Sequence, residues 1–306
     1  ETENSQNQSD IKPQNNIEEN SKNEASLKDF ILDFSKTKEH FCPVCNSSKN
    51  LDKVIFRNET RTVKKCSKCN TIYLNIEKTP ISDYSESYFF EDYKNQYGKT
   101  YLEDFDSIKN QGLRRAKIMW KLATHTESTK DEVRSKENCV QAQSEGSSFL
   151  ARELSQEKRN LAPQTAPTLL DIGCAYGPFL AAAKETGFSP FGTDISKSAT
   201  DYVSEKLGFP SFHGDFTTTD FQKQFDAVSM WYVIEHFENL DTVLNKVNSL
   251  LKTKGIFAFS TPSNCGISGK YNKTDFYKNS PSDHFSIWNP RVAKKILKNY
   301  KIIIIS

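Results

Sequence analysis

The sequence lacks long apolar runs and a strong net charge, and each absence excludes a class of protein. No stretch of about 18 apolar residues occurs in the chain, so no membrane-spanning helix is predicted. The 41 basic and 39 acidic side chains leave a formal net charge of +2, too small to recruit nucleic acid or a membrane surface. The polar, acidic start lacks the basic and apolar segments of an export signal, so we expect a soluble, cytoplasmic protein.

Apolar residues are also scarce, and the shortage is local. They make up 36% of the 306 residues, below the usual share of a globular protein. Residues 1–25 and 125–166 contain almost nothing that could form a core, so both are predicted to be disordered, the second as a long insertion. The predicted organisation is a polar tail with a short helix (1–36), a cysteine-rich module (37–77), a tyrosine-rich helical cap (78–124), the insertion (125–166) and an α/β domain (167–306).

Two CxxC pairs lie in the cysteine-rich module. The stretches FCPVC and KCSKC place them at Cys42, Cys45, Cys66 and Cys69. Four thiolates on two tight turns suit tetrahedral Zn2+, and the β-prone runs KVIF and TIYL suit a zinc ribbon. Two disulfides are the alternative, although CxxC pairs in a reducing compartment usually bind metal or act as redox couples. Four protein ligands leave no open position, so the zinc is expected to be structural. The other cysteines share no ligand spacing and are expected to be ordinary thiols: Cys139, Cys174 and Cys265.

From residue 167 onward, apolar runs alternate with helical stretches. The runs are TLLDIG, PFGTDI, FDAVSMW and GIFAFST, and helices are predicted near 178–187, 197–207 and 241–252. This alternation predicts a Rossmann-like α/β fold, in which a parallel sheet is covered by helices on both faces. Ligands of such a sheet bind at the carboxyl ends of its strands.

The stretch LLDIGCAYGPFL, residues 169–180, has the form of a strand, a glycine turn and a helix. Such a stretch commonly holds a nucleotide-shaped cofactor, and a dinucleotide turn reads GxGxxG. Here Ala175 stands between Gly173 and Gly177, and Asp171 comes just before them. A carboxylate at the strand end would repel a pyrophosphate but accepts hydrogen bonds from the ammonium of an amino-acid moiety, which the glycines let the backbone approach.

Two further acids follow later strands. Asp194, in GTDIS, ends the next apolar run, where its two oxygens can accept both ribose hydroxyls of either NAD or S-adenosylmethionine. Asp215 and Phe216, in HGDF, follow a third strand, where the carboxylate can accept from an adenine amino group beside an aromatic wall. Acids and a glycine turn without a phosphate-binding lysine favour S-adenosylmethionine, and NAD remains the alternative.

At these residues the chain resembles the class I S-adenosylmethionine-dependent methyltransferases. LLDIGCAYGPFL is similar to their first motif, GTDIS to their second, and FDAVSMWYVIEHFENLDTVLNKVNSLLKTKGIFAFSTPS to the segment around strands four and five. In that family the residue after strand four contacts the cofactor, which here implies Trp231. The chain departs from the family at Ala175, where glycine is frequent, and in the length of the insertion. The cofactor contacts predicted in this way are Asp171, Gly173, Ala175, Gly177, Asp194, Ile195, Asp215, Phe216 and Trp231.

The resemblance extends upstream of the α/β domain. A ribbon followed by YSESYFFEDYKNQY resembles the zinc-containing branch that includes sugar C-methyltransferases, small-molecule O-methyltransferases and bacterial enzymes of glycan or natural-product pathways. It implies a small-molecule methyl acceptor. The tyrosines of 84–101 either form the core of a small cap or stack on substrate. Arg114 and Arg115 either reach the cofactor carboxylate or lie on a solvated helix face.

Two acid–histidine pairs are candidates for the base that removes a proton from the acceptor. Glu235 and His236, in IEHF, follow the fourth strand, and Asp283 and His284, in SPSDHFSIW, follow the fifth. The alternative is that they cap a helix or order a loop. In sugar C-methyltransferases of this branch a tyrosine precedes a comparable pair, whereas here a proline and a serine do, which argues against C-methylation.

These observations favour an S-adenosylmethionine-dependent methyltransferase over two alternatives, an NAD-dependent oxidoreductase and a catalytically inactive, methyltransferase-like binding protein. The chain begins at Glu1 and ends in NYKIIIIS, a predicted sixth strand without the antiparallel seventh that the family usually has. Two interpretations of these ends stay open: the chain is a fragment, or it is a degraded copy of such an enzyme. The identity of the acceptor and the oligomeric state are not predicted.

Overall fold

The computed structural model of the chain describes residues 42–47, 52–59, 61–75, 86–124, 166–281 and 283–298. The predicted tail, the predicted insertion up to residue 165 and the predicted strand at 299–306 lie outside the described residues. The described strands form one five-stranded and one four-stranded sheet. Within the described ranges, no helix combines the length and apolar character needed to cross a bilayer.

The larger sheet is parallel throughout. The strands of the two sheets are β1 (Lys53–Arg57), β2 (Thr62–Lys65), β3 (Ile72–Asn75), β4 (Thr168–Ile172), β5 (Ser189–Asp194), β6 (Ser211–His213), β7 (Phe225–Trp231), β8 (Leu251–Ser260) and β9 (Ser286–Ile287). The parallel sheet has the order β6-β5-β4-β7-β8. Leu169, Leu170 and Ile172 of β4 are almost completely buried, as in a central strand covered on both faces. The predicted Rossmann-like α/β class is confirmed, and the carboxyl ends of β4, β5 and β7 lie side by side.

The helices surround this sheet. They are α1 (Tyr93–Tyr97), α2 (Phe105–Thr124), α3 (Pro178–Thr186), α4 (Lys197–Glu205), α5 (Leu240–Leu250), α6 (Ile267–Tyr271), α7 (Lys273–Asn279) and α8 (Pro290–Leu297), with a π-helical turn at Tyr88–Asp92 and a 3-10 turn at Ile234–His236. Asn239 begins α5 by accepting a hydrogen bond from the Thr242 amide at 3.2 Å. A Cβ on Gly112 of α2 would lie 3.0 Å from the Phe179 ring of α3, so this glycine lets the two helices approach.

The antiparallel sheet joins the cysteine-rich module to the α/β domain. Its order is β1-β2-β3-β9, and β9 is supplied by the segment after α7. The Leu74 amide donates to the Phe285 carbonyl at 3.1 Å. The Leu240 amide, at the start of α5, donates to the Pro43 carbonyl at 2.9 Å. These backbone contacts tie the module to the start of α5 and to the residue just before β9.

The tyrosine-rich segment covers the glycine turn that follows β4. Phe89 is buried, and its ring centroid lies 5.0 Å from that of Tyr176 and 5.4 Å from that of Tyr101. The Tyr202 ring of α4 also lies 5.2 Å from Tyr176. All three contacts are edge-to-face, the arrangement that aromatic rings favour. The segment is therefore packed directly on the residues expected to hold the cofactor.

Candidate functional site

The turn after β4 contains three residues in the left-handed conformation. Gly173 and Gly177 have φ of +71° and +81°, and Ala175 has φ of +47°. A Cβ on Gly173 would clash with the Val233 side chain, so a larger residue there requires Val233 to move. Ala175 carries the strain that a side chain incurs in this region. Its amide donates to the Asp194 carboxylate at 2.8 Å, so the turn helps to hold that acid in place.

Asp171 is a buried acid at the carboxyl end of β4. It is 2% exposed, and the Ser229 hydroxyl of the neighbouring strand donates to it at 2.6 Å. Burial raises the pKa of this carboxyl to about 8; the charge of Asp194 adds to the increase and Arg115 opposes it. Ionised Asp171 would therefore be stabilised by a cationic ligand, and an ammonium group is a ligand of that kind.

Asp194 ends β5, and each of its two oxygens accepts one main-chain hydrogen bond. The donors are the amides of Ala175, at 2.8 Å, and Ser196, at 2.9 Å. Burial raises the pKa of the Asp194 carboxyl. A carboxylate oxygen can accept two hydrogen bonds, so these contacts use half of the capacity of Asp194. Beside it, the Ile195 side chain is 55% exposed and presents an apolar surface at the strand end.

The third predicted acid follows β6 and is exposed. Asp215 accepts from both the amide and the hydroxyl of Thr217, each at 2.8 Å. Phe216 is 3% exposed, and its ring packs edge-on against Phe237 with centroids 5.5 Å apart. The Asp215 side chain is therefore exposed to solvent, whereas the adjacent Phe216 side chain is packed in the core.

Trp231 ends β7 and lies between an aromatic ring and a guanidinium group. Its ring centroid is 4.9 Å from that of Phe179 and 4.7 Å from the guanidinium carbon of Arg115. Arg115 comes from α2 and lies close enough to Asp171 to lower the pKa of that carboxyl. Arg114 is exposed. Of the two arginines that the sequence could not tell apart, Arg115 is the one at the carboxyl edge of the sheet.

Four of the predicted residues lie together in a group that we call the acid–histidine cluster (Glu235, His236, Asp283 and His284). Nδ1 of His236 is 3.1 Å from Oδ2 of Asp283, and its ring meets that of His284 edge-on at 4.7 Å. One oxygen of Glu235 and one ring nitrogen of each histidine lie within 4.8 Å of one another. The Phe285 amide donates to the Glu235 carbonyl at 2.8 Å, so the backbone holds the two pairs together.

The cluster groups titrate differently because each has a different environment. Burial raises the pKa of the fully buried Glu235 to about 7. Burial and the neighbouring His236 lower the pKa of His284 to about 4. Burial also opposes protonation of His236, but the hydrogen bond and charge of Asp283 outweigh it and raise the pKa of His236. At neutral pH His284 is therefore neutral, while His236 holds a proton more firmly than an ordinary histidine.

Two tyrosines of the cap lie near carboxylates of the site. Burial, followed by the charges of Asp171 and Asp194, raises the pKa of Tyr101. Burial, followed by the charge of Asp283, raises the pKa of Tyr88. Neither tyrosine was singled out by sequence reasoning, and the only signal was the concentration of tyrosines in 84–101. The cap therefore packs on the glycine turn, and Tyr88 lies close enough to Asp283 for the charge of that acid to act on it.

The four cysteines of the CxxC pairs form a compact group. The Cys42 and Cys69 sulfurs are 3.5 Å apart, the Cys45 and Cys66 sulfurs are 3.6 Å apart, and all four thiols are free. Four sulfurs about 2.3 Å from a tetrahedral zinc would be about 3.8 Å from one another, so the group has the size of a zinc site. The contact between Cys42 and Cys69 lowers the pKa of Cys69 to about 4, and the same contact, together with burial, raises the pKa of Cys42.

Comparison with known proteins identifies a family and several similar folds. The family model described as "Methyltransferase domain" matches residues 147–301. No curated protein sequence matches the chain. Among solved structures, the sugar N-methyltransferase KedS8 from Streptoalloteichus sp ATCC 53650 is 24% identical over 39% of this chain and 48% of its own, with a TM-score of 0.30. DesVI from Streptomyces venezuelae is 19% identical over 32% of this chain and 44% of its own, with a TM-score of 0.30.

A third similar structure is the magnesium protoporphyrin IX methyltransferase ChlM from Synechocystis PCC 6803, which was solved with bound SAH. It is 11% identical over 70% of this chain and 86% of its own, with a TM-score of 0.42. The chain spans about half the length of KedS8 and DesVI. The family model covers half of the chain and all five strands of the parallel sheet. The chain therefore belongs to the methyltransferase-domain family, and its fold is that of a class I S-adenosylmethionine-dependent methyltransferase.

Proposed function

We propose that this protein is an S-adenosylmethionine-dependent methyltransferase that acts on a small molecule, namely a sugar, a glycan precursor or a natural-product intermediate. The observation that supports this most is the buried Asp171 carboxyl beside the tight turn at Gly173. This position favours a cationic ligand group, and the amino-acid end of S-adenosylmethionine carries an ammonium. The pyrophosphate of NAD would instead bring negative charge toward a buried acid.

S-adenosylmethionine supplies an electrophilic methyl group on a positively charged sulfur. In our proposal Asp171 accepts from its ammonium, Asp194 from its ribose hydroxyls and Asp215 from its adenine amino group. Arg115 pairs with its carboxylate, because a guanidinium can make two parallel hydrogen bonds to such a group. The remaining proposed contacts are Gly173, Ala175, Gly177, Ile195, Phe216 and Trp231.

The acid–histidine cluster is proposed to handle the acceptor. Methyl transfer requires an in-line approach to the methyl carbon and, for a hydroxyl acceptor, the loss of a proton. The 3.1 Å contact between His236 and Asp283 supports this role, because a carboxylate on Nδ1 fixes the tautomer and orientation of an imidazole. Glu235 and His284 complete the cluster.

A structural zinc ion held by the four cysteines belongs to the same proposal. With four protein ligands it would have no open position for substrate. Its proposed role is to stabilise the module whose strand β3 pairs with β9, close to His284. A cytoplasmic location fits four reduced thiols in one group.

Calorimetric titration with S-adenosylmethionine, S-adenosylhomocysteine and NAD tests the cofactor. We expect saturable binding of the first two, no binding of NAD, and an affinity at least about tenfold lower in Asp194→Asn, which loses one charge-assisted acceptor. Asp201→Asn, which alters an acid on α4 that pairs with Lys197 at the surface, is the matched control and should bind normally. Binding of NAD in place of the sulfonium compounds, or normal binding by Asp194→Asn, contradicts the proposal.

A further inference from the structure

We infer that the acid–histidine cluster binds a divalent transition-metal ion through Glu235, His236 and His284, and that the methyl acceptor binds this ion through a hydroxyl oxygen. One oxygen of Glu235 and one nitrogen of each histidine already lie within 4.8 Å of one another. The binding of the ion is independent of methyl transfer. Its role toward the acceptor rests on the function proposed above.

The state of Glu235 is the main reason for this inference. Its side chain is completely buried, yet neither carboxylate oxygen has a hydrogen-bond partner among the residues that the structure describes. The Thr261 hydroxyl is near enough to lower the pKa of Glu235, but its contact with the carboxylate lacks the geometry of a hydrogen bond. A buried carboxylate without a partner is costly, and buried charges are usually paired or bound to metal. A cation between Glu235 and the two imidazoles would supply the missing partner.

The donor set indicates the kind of ion. Two imidazole nitrogens and one carboxylate oxygen suit Mn2+, Fe2+, Co2+ or Zn2+, whereas Mg2+ and Ca2+ prefer oxygen ligands. Asp283 engages Nδ1 of His236, so Nε2 is the nitrogen that we assign to the ion. A carboxylate behind a metal-bound histidine is a common arrangement that orients the ring and increases its basicity.

The size and charge of the cluster also fit an ion. Three ligands at about 2.1 Å from a tetrahedral metal would be about 3.4 Å apart, and small side-chain rotations can bring atoms that already lie within 4.8 Å of one another to that spacing. When both are ionised, Glu235 and Asp283 carry two negative charges, which match the two positive charges of a divalent ion. Three protein ligands leave a position open for a further ligand, as in catalytic metal sites.

The open position determines the acceptor class. A hydroxyl bound there has a lower pKa, so its proton passes to solvent water. The oxygen then forms a bond to the methyl carbon as the carbon–sulfur bond breaks. The electron pair of that bond stays on the sulfur, which becomes a neutral thioether. The site therefore favours O-methylation.

A titration with Mn2+ tests the ion site, because thiolates retain zinc while the nitrogen and oxygen ligands accept manganese. Wild-type protein that holds one zinc per chain, the amount that the four cysteines bind, is titrated with MnCl2, and the free ion is followed by electron paramagnetic resonance. We expect about one saturable Mn2+ per chain and an affinity at least about tenfold lower in Glu235→Gln. Glu238→Gln, an exposed glutamate of the same segment, should bind as the wild type does.

The absence of saturable Mn2+ binding in the wild type overturns the inference, as does equal binding by a folded Glu235→Gln. If Glu235→Gln does not fold, His284→Asn replaces it under the same criterion. Zinc content measured before and after shows whether manganese has displaced zinc from the cysteines. S-adenosylhomocysteine is titrated in parallel. If it binds and Mn2+ does not, the ion site is overturned and the proposed methyltransferase function stands. If S-adenosylhomocysteine does not bind, the result counts against the proposed methyltransferase function.

Discussion

His236 and Asp283 lie 3.1 Å apart at Nδ1 and Oδ2, although one follows β7 and the other follows α7. The backbone hydrogen bond from Phe285 to Glu235 keeps the two segments together. Asp283 raises the pKa of His236 and so holds a proton on Nδ1, which leaves Nε2 for a proton or a metal. Asp283 is therefore expected to act on the acceptor through His236.

Asp283→Asn should lower the rate of methyl transfer by about 100-fold, because the histidine loses the charge that orients it. The affinity for S-adenosylmethionine should stay unchanged, since Asp283 is not among the proposed cofactor contacts. The measurement is transfer of labelled methyl to an acceptor found by screening sugars and natural-product intermediates. Asp220→Asn, an exposed acid after β6, is the control. Normal turnover in Asp283→Asn would show that the pair only orders the loop.

Asp171→Asn should weaken cofactor binding but increase the stability of the unliganded protein. The folded pKa of Asp171 is raised from 3.8 to about 8, so this group destabilises the unliganded fold progressively as the pH rises between those values. Without the charge, the variant should exceed the wild type in free energy of unfolding by roughly 2–4 kcal/mol at pH 9 and by less at pH 5. Its affinity for S-adenosylmethionine should fall at least about tenfold. Urea unfolding at both pH values and calorimetry at pH 8 measure the two effects. A stability difference that shrinks as pH rises would contradict the proposed cause.

Gly173→Ala and Gly208→Ala form a matched pair for the glycine turn. Both glycines are left-handed, with φ of +71° and +69°, but a Cβ on Gly173 meets Val233 whereas one on Gly208 meets nothing within 4 Å. Gly208→Ala should cost about 1–2 kcal/mol from the backbone alone. Gly173→Ala should cost a further 1–3 kcal/mol, roughly, from overpacking and should lose cofactor binding. Urea unfolding and calorimetry provide the comparison. Adding Val233→Ala to Gly173→Ala should restore part of the lost stability. Equal losses of stability in Gly173→Ala and Gly208→Ala would refute the role of the clash with Val233.

Zinc removal should loosen the strand pairing next to His284. Elemental analysis should find about one zinc per chain, and none in a fresh, reduced sample would end the zinc proposal. After chelation, hydrogen exchange should become at least about tenfold faster at the Leu74 amide, because the stabilised module holds β3 against β9. Cys66→Ser should show the same change without chelator. Cys265→Ser, which alters an exposed thiol, should keep both zinc and protection.

Much of the fold could be predicted because its signals are local. The strands β4, β5 and β7 and the helix α5 lie where apolar runs and helical periodicity indicated them. Strand β2 was not predicted, since its sequence TVKK contains only one strongly apolar residue. Strand β9 has two residues and no pattern of its own, and it forms because β3 offers it a partner.

The sequence by itself determined the strand, turn and helix of 169–180, the acids at the strand ends and the spacing of the cysteines. Each depends on residues a few positions apart, whose steric and bonding preferences act before the chain is compact. Only the tertiary structure decided that Arg115 lies over Trp231, that Tyr101 lies near Asp171, and that the two acid–histidine pairs form one cluster. These contacts join distant segments. Which segments meet depends on the packing of the whole sheet and its helices, and no local pattern encodes it.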